Sequence, residues 1–101
     1  MKVFRHGDVV LFEVKEIPNA VKDKDTNILA EGEFTGHKHE LVTKEKVIFQ
    51  DVEGNLYVDL KQQTKLVHQE HNTIVLPATK YRVLIKRNYN PFQKRIEEVR
   101  D

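Results

Sequence analysis

The chain has 101 residues, 39% apolar and 33% charged, which fits one globular domain with a modest core and a well-solvated surface. It has no cysteine, so disulfides, thiol nucleophiles, zinc ribbons and iron–sulfur clusters are excluded, and a metal would have to be held by nitrogen and oxygen alone. No apolar run is long enough to cross a bilayer. Residues 1–6 lack the apolar core of a signal peptide, so a cytoplasmic protein is expected.

The formal charge of +1 hides an uneven distribution. Residues 1–79 carry ten Lys/Arg against thirteen Asp/Glu, a net of −3. Residues 80–95 carry six basic residues and no acid, a net of +6, and residues 96–101 return −2. The late basic block is interleaved with Tyr81, Tyr89 and Phe92. Such a block attracts anions, phosphate first among them, or forms a solvated basic strand and tail.

Taken in order, the chain reads as short β-type runs broken by turn residues. Gly7-Asp8 is a turn leading into Val9–Val14, a β-branched apolar run expected to be the central strand. Pro18-Asn19 stops it. Residues 21–27 are charged, without apolar periodicity, and read as an exposed loop. Residues 28–34 resume as a strand with a bulge expected at Gly32. Gly36 permits an unusual backbone angle directly before two histidines.

If the next stretch is extended, His37, His39 and Leu41 share one face and Lys38 and Glu40 take the other. Residues 47–49 form a buried run. A turn over 51–55 then leads to the alternating strand Leu56, Val58, Leu60, which predicts a hairpin. Residues 66–68 are followed by His68-Gln69-Glu70-His71-Asn72, then by a short strand that Pro77 ends. Tyr81, Val83 and Ile85 alternate with Arg82, Leu84 and Lys86. Asn88–Pro91 is a turn, and Phe92 to Val99 has spacing for one or two helical turns. The fold expected is mainly β: a small antiparallel barrel or sandwich, a single domain over 1–101, with a short C-terminal helical turn. Many short strands leave edges to protect, so a homodimer is expected.

Four of the five histidines fall in two short windows, His37/His39 and His68/His71. Ordinary packing does not call for such grouping. Two chemistries do. In the first, an imidazole from each window acts as base and acid on a phosphodiester, because the histidine pKa lies near working pH. Arg82, with Lys80 or Lys86, then holds the phosphate, and Glu40 and Glu70 orient imidazole rings. This predicts a small metal-independent phosphodiesterase or ribonuclease acting on RNA or cyclic oligonucleotides, ring-nuclease-like, with no cofactor. In the second, His37, His39, His68 and His71 hold one divalent metal such as Zn, Fe or Ni. His68 and His71 can share an ion only if the chain turns near 70–72, because a straight strand would put them on opposite faces. A third reading is a non-catalytic nucleotide or nucleic-acid-binding module using residues 80–95. His6, before the Gly7-Asp8 turn, reads as structural or surface.

Several stretches carry a resemblance: Gly7–Leu11, Leu29–Glu33, Gly36-His37-Lys38-His39, His68-Gln69-Glu70-His71, Tyr81-Arg82-Val83, Tyr89-Asn90-Pro91 and Arg100-Asp101. With them the chain resembles a family of small bacterial proteins with GHxH and HxEH motifs. The resemblance implies that these stretches serve one site and names no reaction. The HxH pair with a Glu and further His is only weakly similar to the cupin arrangement.

Overall fold

The computed structural model describes residues 2–31 and 36–86. It is all-β, with ten strands and no helix among the described residues. The strands are β1 (Val3–His6), β2 (Val9–Val14), β3 (Val21–Asp23), β4 (Ile28–Glu31), β5 (Lys38–Leu41), β6 (Ile48–Asp51), β7 (Leu56–Asp59), β8 (Thr64–Val67), β9 (Ile74–Leu76) and β10 (Lys80–Ile85). Six form one sheet in the order β1-β2-β10-β7-β6-β3, and four form a second in the order β4-β5-β8-β9. Every pairing is antiparallel. The two sheets make a sandwich rather than a closed barrel.

Alternation along each strand explains the core. Val9 and Leu11 of β2, Tyr81 and Val83 of β10, and Val58 of β7 point inward from the large sheet. Leu29 and Ala30 of β4, Leu41 of β5, Leu66 of β8 and Leu76 of β9 meet them from the small sheet. β2 is flanked on both sides, by β1 and by β10, as its apolar run predicts. The expected hairpin is the β6–β7 pair, with Ile48 opposite Val58.

One expectation changes, and one strand is added. Residues 21–23 are not loop but edge strand β3, paired to β6 with Lys22 opposite Gln50. Charge there is natural, because an edge strand has one solvated side. Residues 3–6, which carry no strand signal of their own, form edge strand β1 with His6 opposite Val9. The register shift in the β4–β5 pair lies between Ile28 and Ala30, whereas the bulge expected at Gly32 lies outside the described residues. The turn over 88–91 and the helical turn over 92–99 also lie outside them. Among the described residues, no helix is long and apolar enough to cross a membrane.

A candidate metal centre between the two sheets

All five histidines meet at one end of the sandwich. The large sheet contributes His6 from the inner face of β1, together with Asp8 from the β1–β2 turn. The small sheet contributes His39 from the inner face of β5, beside buried Leu41. His68 and His71 come from the bend that joins β8 to β9. That bend is what lets residues three apart face one another: their ring centroids are 4.6 Å apart. The His39 ring lies 4.3 Å from His68 and 5.7 Å from His71. His6 lies 4.9 Å from His39. His37, before β5, is 5.6 Å from His68.

One ligand nitrogen each from His39, His68 and His71 lies within 4.8 Å of the others, so these three could hold a metal ion. His39 is buried, His68 half-buried and His71 exposed, so the group runs from the core to the surface.

The turn that approaches His71 is tight. Gly7 has φ +64°, and a Cβ built on it would lie 2.6 Å from His71 Nε2. Only a glycine allows both the left-handed backbone and this approach. Gly36, with φ +72°, has open space around its Cα and serves the backbone turn alone.

Hydrogen bonds fix the rings. His6 Nε2 lies 2.8 Å from the Asn72 carbonyl, and His6 Nδ1 lies 2.9 Å from His39 Nδ1. A carbonyl only accepts, so His6 Nε2–H donates to it. The neutral His6 ring then accepts at Nδ1, and His39 Nδ1–H donates. His39 Nε2 is turned to Asp8 Oδ1 at 3.2 Å. The Glu70 amide donates to His68 Nδ1 at 2.9 Å, and the Lys38 amide donates to the Gln69 side-chain carbonyl at 2.9 Å, tying the bend to β5. At the rim, His37 Nδ1 pairs with Glu70 Oε1 at 2.9 Å.

Crowded imidazoles resist protonation. Burial, with the neighbouring His68 and His6 rings, pushes the His39 pKa down to about 4, against a smaller opposing pull from Asp8. His6 is lowered by burial, partly offset by its bond to Asn72. His68 is lowered by burial and then by the charge of His71. Neutral imidazoles are the form in which histidine donates a lone pair.

The four histidines expected to share a site are thus together, with His37 on the outer side of the group. Glu70 meets the His37 ring through Oε1. Glu40 follows His39 on β5 and takes the opposite face of that strand. The cations are placed elsewhere. Arg82 alternates with inward Tyr81 and Val83, so it takes the outer face of the large sheet, where its Nη2 donates to Asn55 Oδ1 at 3.1 Å. Lys80, at the far end of β10, lines a separate hollow with Glu13, Lys15, Asp59 and Lys61. Lys86 touches the site's edge through its backbone: its amide donates to the Asp8 carbonyl at 2.9 Å.

His6 and Asp8 are the members that sequence reasoning missed. A lone histidine and a turn aspartate carry no local pattern. The available signal was their place in one tetrapeptide, His6-Gly7-Asp8-Val9, with the glycine marking a close approach.

No curated protein and no solved structure matches the chain. A family model matches residues 5–86, which include all five histidines and Asp8. The chain belongs to the family described as Domain of unknown function (DUF8820).

Proposed function

We propose that this is a divalent-metal-binding β domain in which His39, His68 and His71 donate nitrogen to one ion. The observation that carries the reading is the convergence of three imidazoles from two distant segments upon one volume. Imidazole suits Zn, Fe and Ni, and the absence of cysteine leaves no softer donor to compete. Exposure of His71 leaves a flank through which an ion, and then a small ligand, can enter. The test is titration of the purified, chelator-stripped protein with Zn²⁺, Ni²⁺ and Co²⁺, read by calorimetry. One equivalent should bind, and His39→Ala, His68→Ala and His71→Ala should each lower affinity by roughly tenfold or more. No saturable binding of any of the three metals would overturn the reading.

A second reading, metal-independent cleavage of RNA or a cyclic oligonucleotide by histidine acid–base chemistry, is favoured by one observation. His37 at the rim is held by the Glu70 carboxylate, 2.9 Å away, the arrangement that orients an imidazole for proton transfer. Against it stands the placement of Arg82 and Lys80, the expected phosphate ligands, away from the histidines. Full cleavage of an RNA panel in excess chelator, abolished by His37→Ala, would favour this reading. A homodimer would form through the edge strands β1, β3, β4 or β9, and sedimentation equilibrium tests it.

A further inference from the structure

We infer that the hollow at the other end of the sandwich is a binding site for a small organic anion, an apolar body carrying one carboxylate or phosphate head. The inference is independent of the metal-binding reading and uses none of its residues.

The hollow measures about 770 Å³, within the roughly 300–1,000 Å³ of small-molecule sites. It opens where β2 and β7 end and β10 begins. Lys86, whose amide meets Asp8, follows the opposite end of β10, so the length of that strand separates the hollow from the histidines. Val14, Leu60 and Ala78 supply an apolar lining. The Leu60 amide donates to the Thr79 carbonyl at 3.0 Å, which ties together the two connections that frame the hollow.

Charge decides what such a hollow takes. Lys15, Lys61 and Lys80 line it together with Glu13 and Asp59, which leaves one positive charge over. Both carboxylates are already engaged. Glu13 Oε2 accepts from the Thr79 hydroxyl at 3.1 Å, and its Oε1 accepts from the Lys2 amide at 3.3 Å. Asp59 Oδ2 accepts from Lys61 Nζ at 3.2 Å. Lys80 differs from Lys61. It is half-buried and stands opposite Asp59 and Val14 in its two strand pairings, yet its side chain has no hydrogen bond or ion pair among the described residues. An ammonium that has given up part of its water without gaining a carboxylate favours an anion brought by a ligand. One anionic head balances the lining, with Lys80 as its partner and the exposed Lys15 at the rim. The body of the ligand then lies against Val14 and Ala78.

The test titrates the full ¹⁵N-labelled chain, in excess chelator, with benzoate, phenyl phosphate, inorganic phosphate and neutral benzyl alcohol. The amides of Leu60, Lys61, Thr79 and Lys80 should shift saturably with benzoate or phenyl phosphate, and the tighter of the two identifies the head. Inorganic phosphate and benzyl alcohol each offer half of the ligand and should bind at least about tenfold more weakly than the tighter organic anion. Lys80→Ala should weaken that anion about tenfold, Lys80→Arg should hold it within about threefold, and His39→Ala should leave it unchanged. No saturable shift with either organic anion, a half-ligand binding as tightly as the whole, or wild-type affinity in Lys80→Ala would overturn the site. If Lys80→Ala does not fold, the comparison of charged and neutral probes on the wild-type protein still decides. Because chelator is present throughout, failure here leaves the three-histidine reading untouched, and failure of metal binding leaves this site standing.

Discussion

His6 and His39 meet nitrogen to nitrogen, Nδ1 to Nδ1 at 2.9 Å, across the gap between the two sheets. One ring belongs to the edge strand of the large sheet and the other to the small sheet. The contact gives a first prediction, because asparagine can place an acceptor oxygen where histidine has Nδ1. His6→Asn should keep metal affinity within about threefold, whereas His6→Phe, which fills the space without an acceptor, should cost about 10–100-fold. Calorimetric titration of the two variants side by side checks it. A smaller loss in His6→Phe than in His6→Asn would mean that the ring serves packing alone.

The close approach of Gly7 to His71 gives a second. Gly7→Ala adds a Cβ where the backbone is left-handed and the imidazole is already in contact. The backbone strain alone should cost about 1–2 kcal/mol of stability. His71 must also move, so the variant should bind metal more weakly than wild type even at temperatures where it is fully folded. Thermal melts and Zn²⁺ competition titrations measure the two effects separately.

The convergence of the two histidine windows was legible in the sequence because four grouped imidazoles are hard to explain as packing. The all-β character followed from short runs broken by turn residues. What was not legible came from contacts between distant strands. His6 gains its role only when β1 is laid beside β2 and opposite β5. Alternation already put Arg82 on the other face of β10 from Tyr81 and Val83. Which of those faces the histidines would occupy depended on how the small sheet packs, and no local pattern encodes that. Strand β3 was hidden because Val21-Lys22-Asp23 is short and charged, and its pairing with β6 is a tertiary fact.

The pH dependence of the metal-free protein follows from the lowered histidine pKa values. His39 titrates near 4 when folded and near 6.5 when unfolded, and His6 and His68 are displaced the same way. Between those pH values the unfolded chain binds more protons, so stability is full above about pH 6.5 and falls as the pH drops toward 4. His39 alone should remove on the order of 3 kcal/mol across that window. Urea unfolding at pH 7.5, 6, 5 and 4 should show the decline, and His39→Gln should flatten it. A pH-independent midpoint in the wild-type protein would contradict the crowding of these rings.

Arg82 supplies a control. Its guanidinium is bound to Asn55 on the outer face of the large sheet, beside the β6–β7 turn. Arg82→Ala should cost about 1 kcal/mol of stability through the lost hydrogen bond and leave metal affinity unchanged. Should an RNA-cleaving activity exist, Arg82→Ala should also spare it. A loss there with metal binding intact would place the anion site on the outer face.

The core makes its own prediction. Tyr81 is fully buried inside the sandwich, and its hydroxyl donates to the Pro77 carbonyl at 2.8 Å. Burial, with the nearby Glu13 charge, pushes the Tyr81 pKa up to about 12, so the hydroxyl stays protonated over the whole useful pH range. Tyr81→Phe should lower stability by about 1–2 kcal/mol, chiefly by leaving that carbonyl unsatisfied. Denaturant melts with an unchanged slope are the measure.

This chain has no sulfur bridge to restrain it, and its sandwich joins an edge strand near the start to a bend two-thirds of the way along. An ion gripped by positions 39, 68 and 71 would fasten β5 to that bend and shrink the freedom of the denatured chain, as a covalent staple does. Folding and loading would then be one event, so cells starved of the metal would hold a looser, shorter-lived protein, and abundance itself would track supply of the ion.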